Sequence, residues 1–107
     1  NIYFNSDAFE LNQQAKNILS IFSEFMNLNP SVSVAIHGHT DDVGDKSSNL
    51  ELSAKRAKEV HDYLISIGVD TNRLSHKGFG ESKPLVANDT QEGKATNRRT
   101  EFYITEK

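Results

Sequence analysis

The chain has 107 residues, 36% of them apolar and 25% charged, enough for one buried core and too rich in apolar groups for a disordered segment. Fifteen acids against twelve bases leave a net charge of −3, which argues against a nucleic-acid binder and, more weakly, against a binder of anionic membrane surfaces. Cysteine is absent, which excludes disulfide scaffolds, thiolate zinc sites and cysteine nucleophiles but leaves the compartment open.

No apolar run approaches the roughly 18 residues that a membrane-crossing helix needs, so no direct membrane insertion by this segment is expected. Signal-peptide anatomy is missing from the start, which reads as a removed signal or a piece cut from a longer chain. Turn signals rather than linkers punctuate the sequence, so residues 1–107 are expected to form a single domain.

Ile2-Tyr3-Phe4 reads as a short strand. From Asn12 to Leu28 the spacing predicts a helix, capped by Asn12 and stopped by Asn29-Pro30. Its buried stripe is expected to be Leu11, Ala15, Ile18, Phe22 and Phe25, with Leu19 and Met26 beside it. Val32, Val34 and Ile36 alternate with Ser33, Ala35 and His37, the pattern of a strand. A polar turn, Gly38 to Asp45, follows.

A second helix is predicted from about Lys46 to Ile67, with Gly68 just past its end. Asp45 is one candidate cap, and Ser48 with Glu51 has the capping-box spacing. Leu50, Ala54, Ala57, His61 and Leu64 line up as its apolar face, and Glu51, Lys55, Lys58, Glu59 and Asp62 as its solvent face. Asn49, Ser53 and Arg56 form a polar stripe on the border between them. Residues 72–79 read as a third strand. The stretch from Gly80 to Gly93 is loop-like, with a cap signal at Asn88-Asp89-Thr90 before a short helical turn. Thr100, Phe102 and Ile104 mark the last strand. This order gives an α/β or α+β sandwich: one mixed sheet with helices packed on a face.

Three constellations carry possible chemistry. His37, His39 and Asp41 have acceptable spacing for zinc, and the run resembles the H-x-H-x-D-H motif of metallo-β-lactamase-like hydrolases. Position 42 is Asp where that motif has His, and such hydrolases need a much longer chain, so no metal is expected. Asp41, past the end of a strand, and Arg56, on the border stripe of the next helix, suit a zwitterion: the carboxylate takes an ammonium and the guanidinium grips a carboxylate. The competing reading, favoured by spacing alone, is that the two pair with each other as a structural salt bridge. Asn97-Arg98-Arg99 is a basic doublet at a strand mouth, fit for a weak anion site or a loop brace. No nucleophile–base pair and no phosphate-cradling glycine loop is present, so the reading is non-catalytic, with no cofactor.

Gly38-His39-Thr40-Asp41-Asp42-Val43-Gly44, then Asn49, Leu52-Ser53, Arg56-Ala57 and Val60 together resemble the OmpA-like (OmpA/MotB C-terminal) peptidoglycan-binding domain. The likeness runs on through Gly78-Phe79-Gly80 and Lys83-Pro84 to Asn97-Arg98-Arg99-Thr100-Glu101, and back to Phe4-Asn5-Ser6-Asp7. It implies a βαβαββ, α+β fold: a mixed four-stranded sheet with two main helices on one face. It implies non-covalent binding of cell-wall peptidoglycan through the diaminopimelate of the stem peptide, with Asp41 and Arg56 as principal contacts. Asn49, Leu52 and Thr40 line the same pocket in that resemblance. The family's first-strand Asp is Asn5 here, able to offer a backbone contact but no charge. Asn97 and Arg98, which match the family's Asn-Arg-Arg motif, are expected to brace loops and to help with Asp41.

The expected setting is the periplasmic face of the outer membrane of a diderm bacterium, within a larger outer-membrane protein. Two alternatives accompany this: a zinc-dependent hydrolase using His37, His39 and Asp41, and a flagellar-motor stator domain that binds the wall. The sequence leaves the oligomeric state open.

Overall fold

The computed structural model describes residues 2–4 and 8–106. In chain order the elements are β1 (Ile2–Tyr3), α1 (Gln13–Leu28), β2 (Ser33–Gly38), α2 (Lys46–Ser66), a 3-10 turn (Thr71–Arg73), β3 (Leu74–Gly78), α3 (Gln91–Asn97) and β4 (Arg99–Glu106). The sheet order is β1-β4-β2-β3. β2 pairs with β3 in parallel and with β4 antiparallel, and β1 pairs antiparallel with β4. This is the expected α+β arrangement with a mixed four-stranded sheet. The short turn after Thr90 is a two-turn helix, α3, in which the Thr90 hydroxyl accepts from Gly93 N. The third strand is shorter than expected, because Asn72 and Arg73 belong to the 3-10 turn.

Val34 and Ile36 of β2 are buried beneath α1 and α2, against Leu19, Met26, Val60 and Leu64. The helix caps follow the local chemistry. The Asn12 side chain accepts from Ala15 N at 2.8 Å, and Asp45, rather than Ser48, caps α2. Gly68, at φ +109°, takes the left-handed turn that ends α2, its N–H reaching Ile65 O.

Two expected faces are corrected. In α1 the buried residues are Ala15, Leu19, Ser23 and Met26, with Phe22 partly buried; Ile18 and Phe25 lie at the solvent border. In α2 the buried face is Asn49, Ser53, Arg56, Ala57, Val60 and Leu64, while Leu50 and Ala54 are exposed and His61 is half-buried. The stripe assigned to the border of α2 is therefore its inner face.

Backbone geometry explains this rotation. Gly38 and Gly78 sit side by side in the β2–β3 ladder. A Cβ on Gly38 would fall 2.0 Å from Ser53 O, and one on Gly78 2.4 Å from Ala54 N. The missing side chains let α2 lie directly on the strand ends. Only a small residue fits on the helix at that contact, and Ser53 fills it. Its hydroxyl donates to Leu50 O and accepts from Gly80 N, both at 2.8 Å.

Candidate functional site

The close approach of α2 sets the site at the carboxyl end of β2. Beyond Gly38 the chain is clamped on both sides: His39 N donates to Arg99 O at 2.8 Å, and Thr40 N to Gly80 O at 2.9 Å. Thr40 and Asp41 are buried as a result. Asp41 Oδ1 accepts from Val43 N at 3.1 Å, a local turn that holds the carboxylate. The Asn49 amide, in the first turns of α2, donates to Val43 O at 3.1 Å and to Asp41 O at 3.4 Å, fixing the same turn from below.

Arg56 lies one turn beyond Ser53, fully buried. Its Nε donates to Ala8 O at 2.8 Å and its Nη1 to His39 O at 3.1 Å. The guanidinium also lies over the Phe4 ring, 4.9 Å from its centre. It thus ties together the segment after β1, the end of β2 and α2.

Asp41 takes its ion pair from Arg98, Nη1 to Oδ2 at 3.0 Å, so the direct Asp41–Arg56 salt bridge favoured by spacing alone is replaced by a pair with a residue 57 positions away. Arg98 Nε donates to Phe4 O, and Phe4 N to Arg98 O, both at 3.0 Å. Asn97 braces the preceding loop: Oδ1 accepts from Leu85 N and Val86 N, and Nδ2 donates to Val86 O and Asn88 Oδ1.

The structure therefore brings Thr40, Asp41, Asn49, Arg56 and Arg98 together. Leu52 is half-buried on the same helix. Asn5 lies outside the described residues. Sequence reasoning missed the share taken by the main chain, since Ala8 O and His39 O hold Arg56, and side-chain patterns carry no mark of carbonyl acceptors.

A second cluster, also missed, stands behind the site. Arg99 Nε pairs with Glu101 Oε2 at 2.9 Å, Tyr103 OH donates to Glu101 Oε1 at 2.7 Å, and His39 Nε2 lies 3.1 Å from that oxygen without hydrogen-bond alignment. Burial pulls the Glu101 carboxyl upward, but Arg99 and Tyr103 outweigh it and hold its pKa below the usual range. The signal was the i, i+2 spacing of Arg99, Glu101 and Tyr103 along one face of β4.

His37 and His39 pack on Phe79, with ring centres 4.7 and 5.6 Å away. Among the described residues no three His, Asp or Glu side chains gather where they could hold a metal. Asp41 turns to Arg98 and His39 to Glu101, so the zinc alternative has no ligand set there.

The chain matches known proteins along nearly its whole length. A sequence profile of the OmpA family fits residues 3–98. Outer membrane porin F of Pseudomonas aeruginosa is 37% identical over 104 residues, covering 96% of this chain and 30% of the relative. Peptidoglycan-binding protein ArfA of Mycobacterium tuberculosis is 37% identical over 103 residues, covering 96% and 32%. The chain thus spans about a third of the length of these relatives. Among solved structures, the peptidoglycan-associated lipoprotein from Burkholderia pseudomallei superposes with a TM-score of 0.93 at 27% identity, covering 97% of this chain and 88% of that one. The C-terminal domain of Helicobacter pylori MotB gives 0.88 at 30% identity, covering 97% and 82%. With a profile match over residues 3–98 and an α+β fold shared with these structures, the chain belongs to the OmpA family.

Proposed function

We propose that this chain binds peptidoglycan non-covalently through the diaminopimelate of the stem peptide, and so anchors an outer membrane to the wall from its periplasmic side. The observation that carries the reading is the convergence of one buried carboxylate, Asp41, and one buried guanidinium, Arg56, at the mouth of β2. Both are fixed before any ligand arrives: Asp41 by Val43 N, Asn49 and Arg98, Arg56 by two carbonyls and the Phe4 ring. Such preorganisation reduces the ordering cost of binding. A carboxylate oxygen holds more lone pairs than its present hydrogen bonds use, so Asp41 retains acceptor capacity for an ammonium. The side-chain end of diaminopimelate offers an ammonium and a carboxylate on one carbon, the complement of this pair.

Two relatives support the partner by their names, one a peptidoglycan-binding protein and one a peptidoglycan-associated lipoprotein. The outer-membrane setting rests on porin F, a probable lipoprotein of Escherichia coli and outer membrane protein A of Bordetella avium. MotB shares the fold, which keeps the stator reading as the second one. The chain is then the wall-binding unit of a longer protein. In this reading the chain holds its ligand without transforming it.

Calorimetric titration with a diaminopimelate stem peptide tests the site. Asp41→Asn is expected to weaken binding by about 10- to 100-fold, the worth of one charge-assisted contact. The same peptide with lysine in place of diaminopimelate lacks the terminal carboxylate and is expected to bind as weakly. Equal affinity for both peptides would remove the diaminopimelate assignment, and unchanged affinity in Asp41→Asn would remove the site.

A further inference from the structure

The core uses only one side of α1. Ile18, Ile21, Phe25 and Leu28 remain 40%, 69%, 38% and 82% exposed. They are spaced three, four and three apart, the rhythm of a helix-pairing seam. A solvated helix face ordinarily carries charge, yet the 16 residues of α1 contain only Lys16 and Glu24. The seam is also firmly backed. Phe25 stacks on Phe22 at 5.9 Å, and Phe22 on Phe102 of β4 at 4.5 Å. A rigid, nearly uncharged apolar stripe of this kind marks an interaction surface.

We propose that this stripe pairs with its own copy, α1 against α1 of a second chain, antiparallel about a two-fold axis. The near absence of charge disfavours an anionic lipid surface or a strongly charged partner, because neither would find complementary groups. Self-pairing needs none. An antiparallel two-fold sets Ile18 against Leu28 and Ile21 against Phe25, so every large side chain of the stripe meets another. Lys16 faces away from the stripe, over the Tyr63 ring of α2, so Glu24 is the one charge at its edge. A parallel pair would set Glu24 near Glu24 with the helix dipoles aligned, and the antiparallel pair avoids both. The four side chains and their polar rim would bury on the order of 600–800 Å² per copy, the lower end of what a specific dimer uses. The dimer is therefore weak, with a dissociation constant on the order of 10–100 µM.

Sedimentation equilibrium of the chain up to about 500 µM is expected to show a reversible monomer–dimer equilibrium. Ile21→Glu and Leu28→Glu, both at exposed positions, are expected to be monomeric with unchanged thermal unfolding and unchanged affinity for stem peptide. Orientation is testable because the chain has no cysteine. Ile18→Cys mixed with Leu28→Cys is expected to form the mixed disulfide, while each alone stays largely reduced. A monomer at every concentration, or a dimer that survives Ile21→Glu and Leu28→Glu, would overturn the proposal. Disulfides formed by each variant with itself in preference to the mixture would overturn the antiparallel arrangement.

Discussion

His39 shows how one side chain couples the site to stability. Its ring is 2% exposed, stacked on Phe79, beside Arg99 and 3.1 Å from Glu101. Burial foremost, then Arg99, pushes its pKa down to about 4, against the opposing pull of Glu101. His37, nearby on the same face, is also lowered by burial. The folded chain therefore keeps His39 neutral where the unfolded chain, near the ordinary 6.5, takes up a proton. Stability from this residue is complete above pH 6.5 and is lost as the pH falls toward 4, by on the order of 3 kcal/mol. Denaturant unfolding at pH 7.5 and pH 4 should show that loss in the natural chain and a smaller one in His39→Gln. Equal losses would show that His39 is not the titrating group. The effect reaches the site, because the His39 carbonyl accepts from Arg56. Residue chemistry alone made His39 a metal candidate. Its charged neighbours, Arg99 and Glu101, come from β4, about 60 residues on, and its stacking partner Phe79 from just past the end of β3, and spacing within one segment is blind to both.

At the scale of elements, the seating of α2 on the β2–β3 ends decides where Arg56 lies. Gly38→Ala would drive a methyl group to 2.0 Å from Ser53 O, a backbone atom that cannot swing aside. The expected cost is about 3 kcal/mol or more, the upper range for overpacking, with a loss of ligand binding as α2 lifts. Gly44→Ala is the control. It has open space around it but a φ of +92°, so the cost is expected to be only about 1 kcal/mol. Thermal melts of the two variants separate close approach from backbone strain, and equal destabilisation would contradict the seating argument. The same contact explains what the sequence revealed of this helix. The limits of α2 were legible to within a residue, because Asp45 and Gly68 punctuate it. Its orientation was not, because periodicity assumes that the apolar stripe faces inward. Here the inner face begins with Asn49, Ser53 and Arg56, whose polar groups are satisfied by loop carbonyls and a glycine N–H. Asp41 and Arg56 were readable as a pair by residue type; the arginine that completes Asp41's ion pair was visible only as a motif near the other end of the chain.

Across the whole molecule, arginines tie distant segments together at both ends of the sheet. Arg56 and Arg98 do so at the site. At the opposite end of β2 stands Arg73, in the turn before β3. Its Nη2 donates to Met26 O at 2.8 Å and Asn29 O at 2.7 Å, and its Nε to Val32 O at 2.9 Å. One guanidinium thus caps the last turn of α1, holds the Asn29-Pro30 corner and pins the entry to β2, across more than 40 residues of sequence. Helix ends leave carbonyls without partners, and a cation at the C-terminus answers both their hydrogen bonding and the dipole. Removing it should loosen the α1–β2 corner without reaching Asp41. Arg73→Gln keeps part of the length and loses the charge and the fork, so a stability loss of about 2 kcal/mol is expected. Affinity for stem peptide, measured well below the melting temperature, should stay within about twofold of the natural chain. Amide exchange is expected to speed up at Val32 and Asn29, whose main-chain hydrogen bond closes this corner, and to stay slow at Thr40. Faster exchange at Thr40, or lost affinity, would mean that the two ends of the sheet are coupled rather than independently stapled.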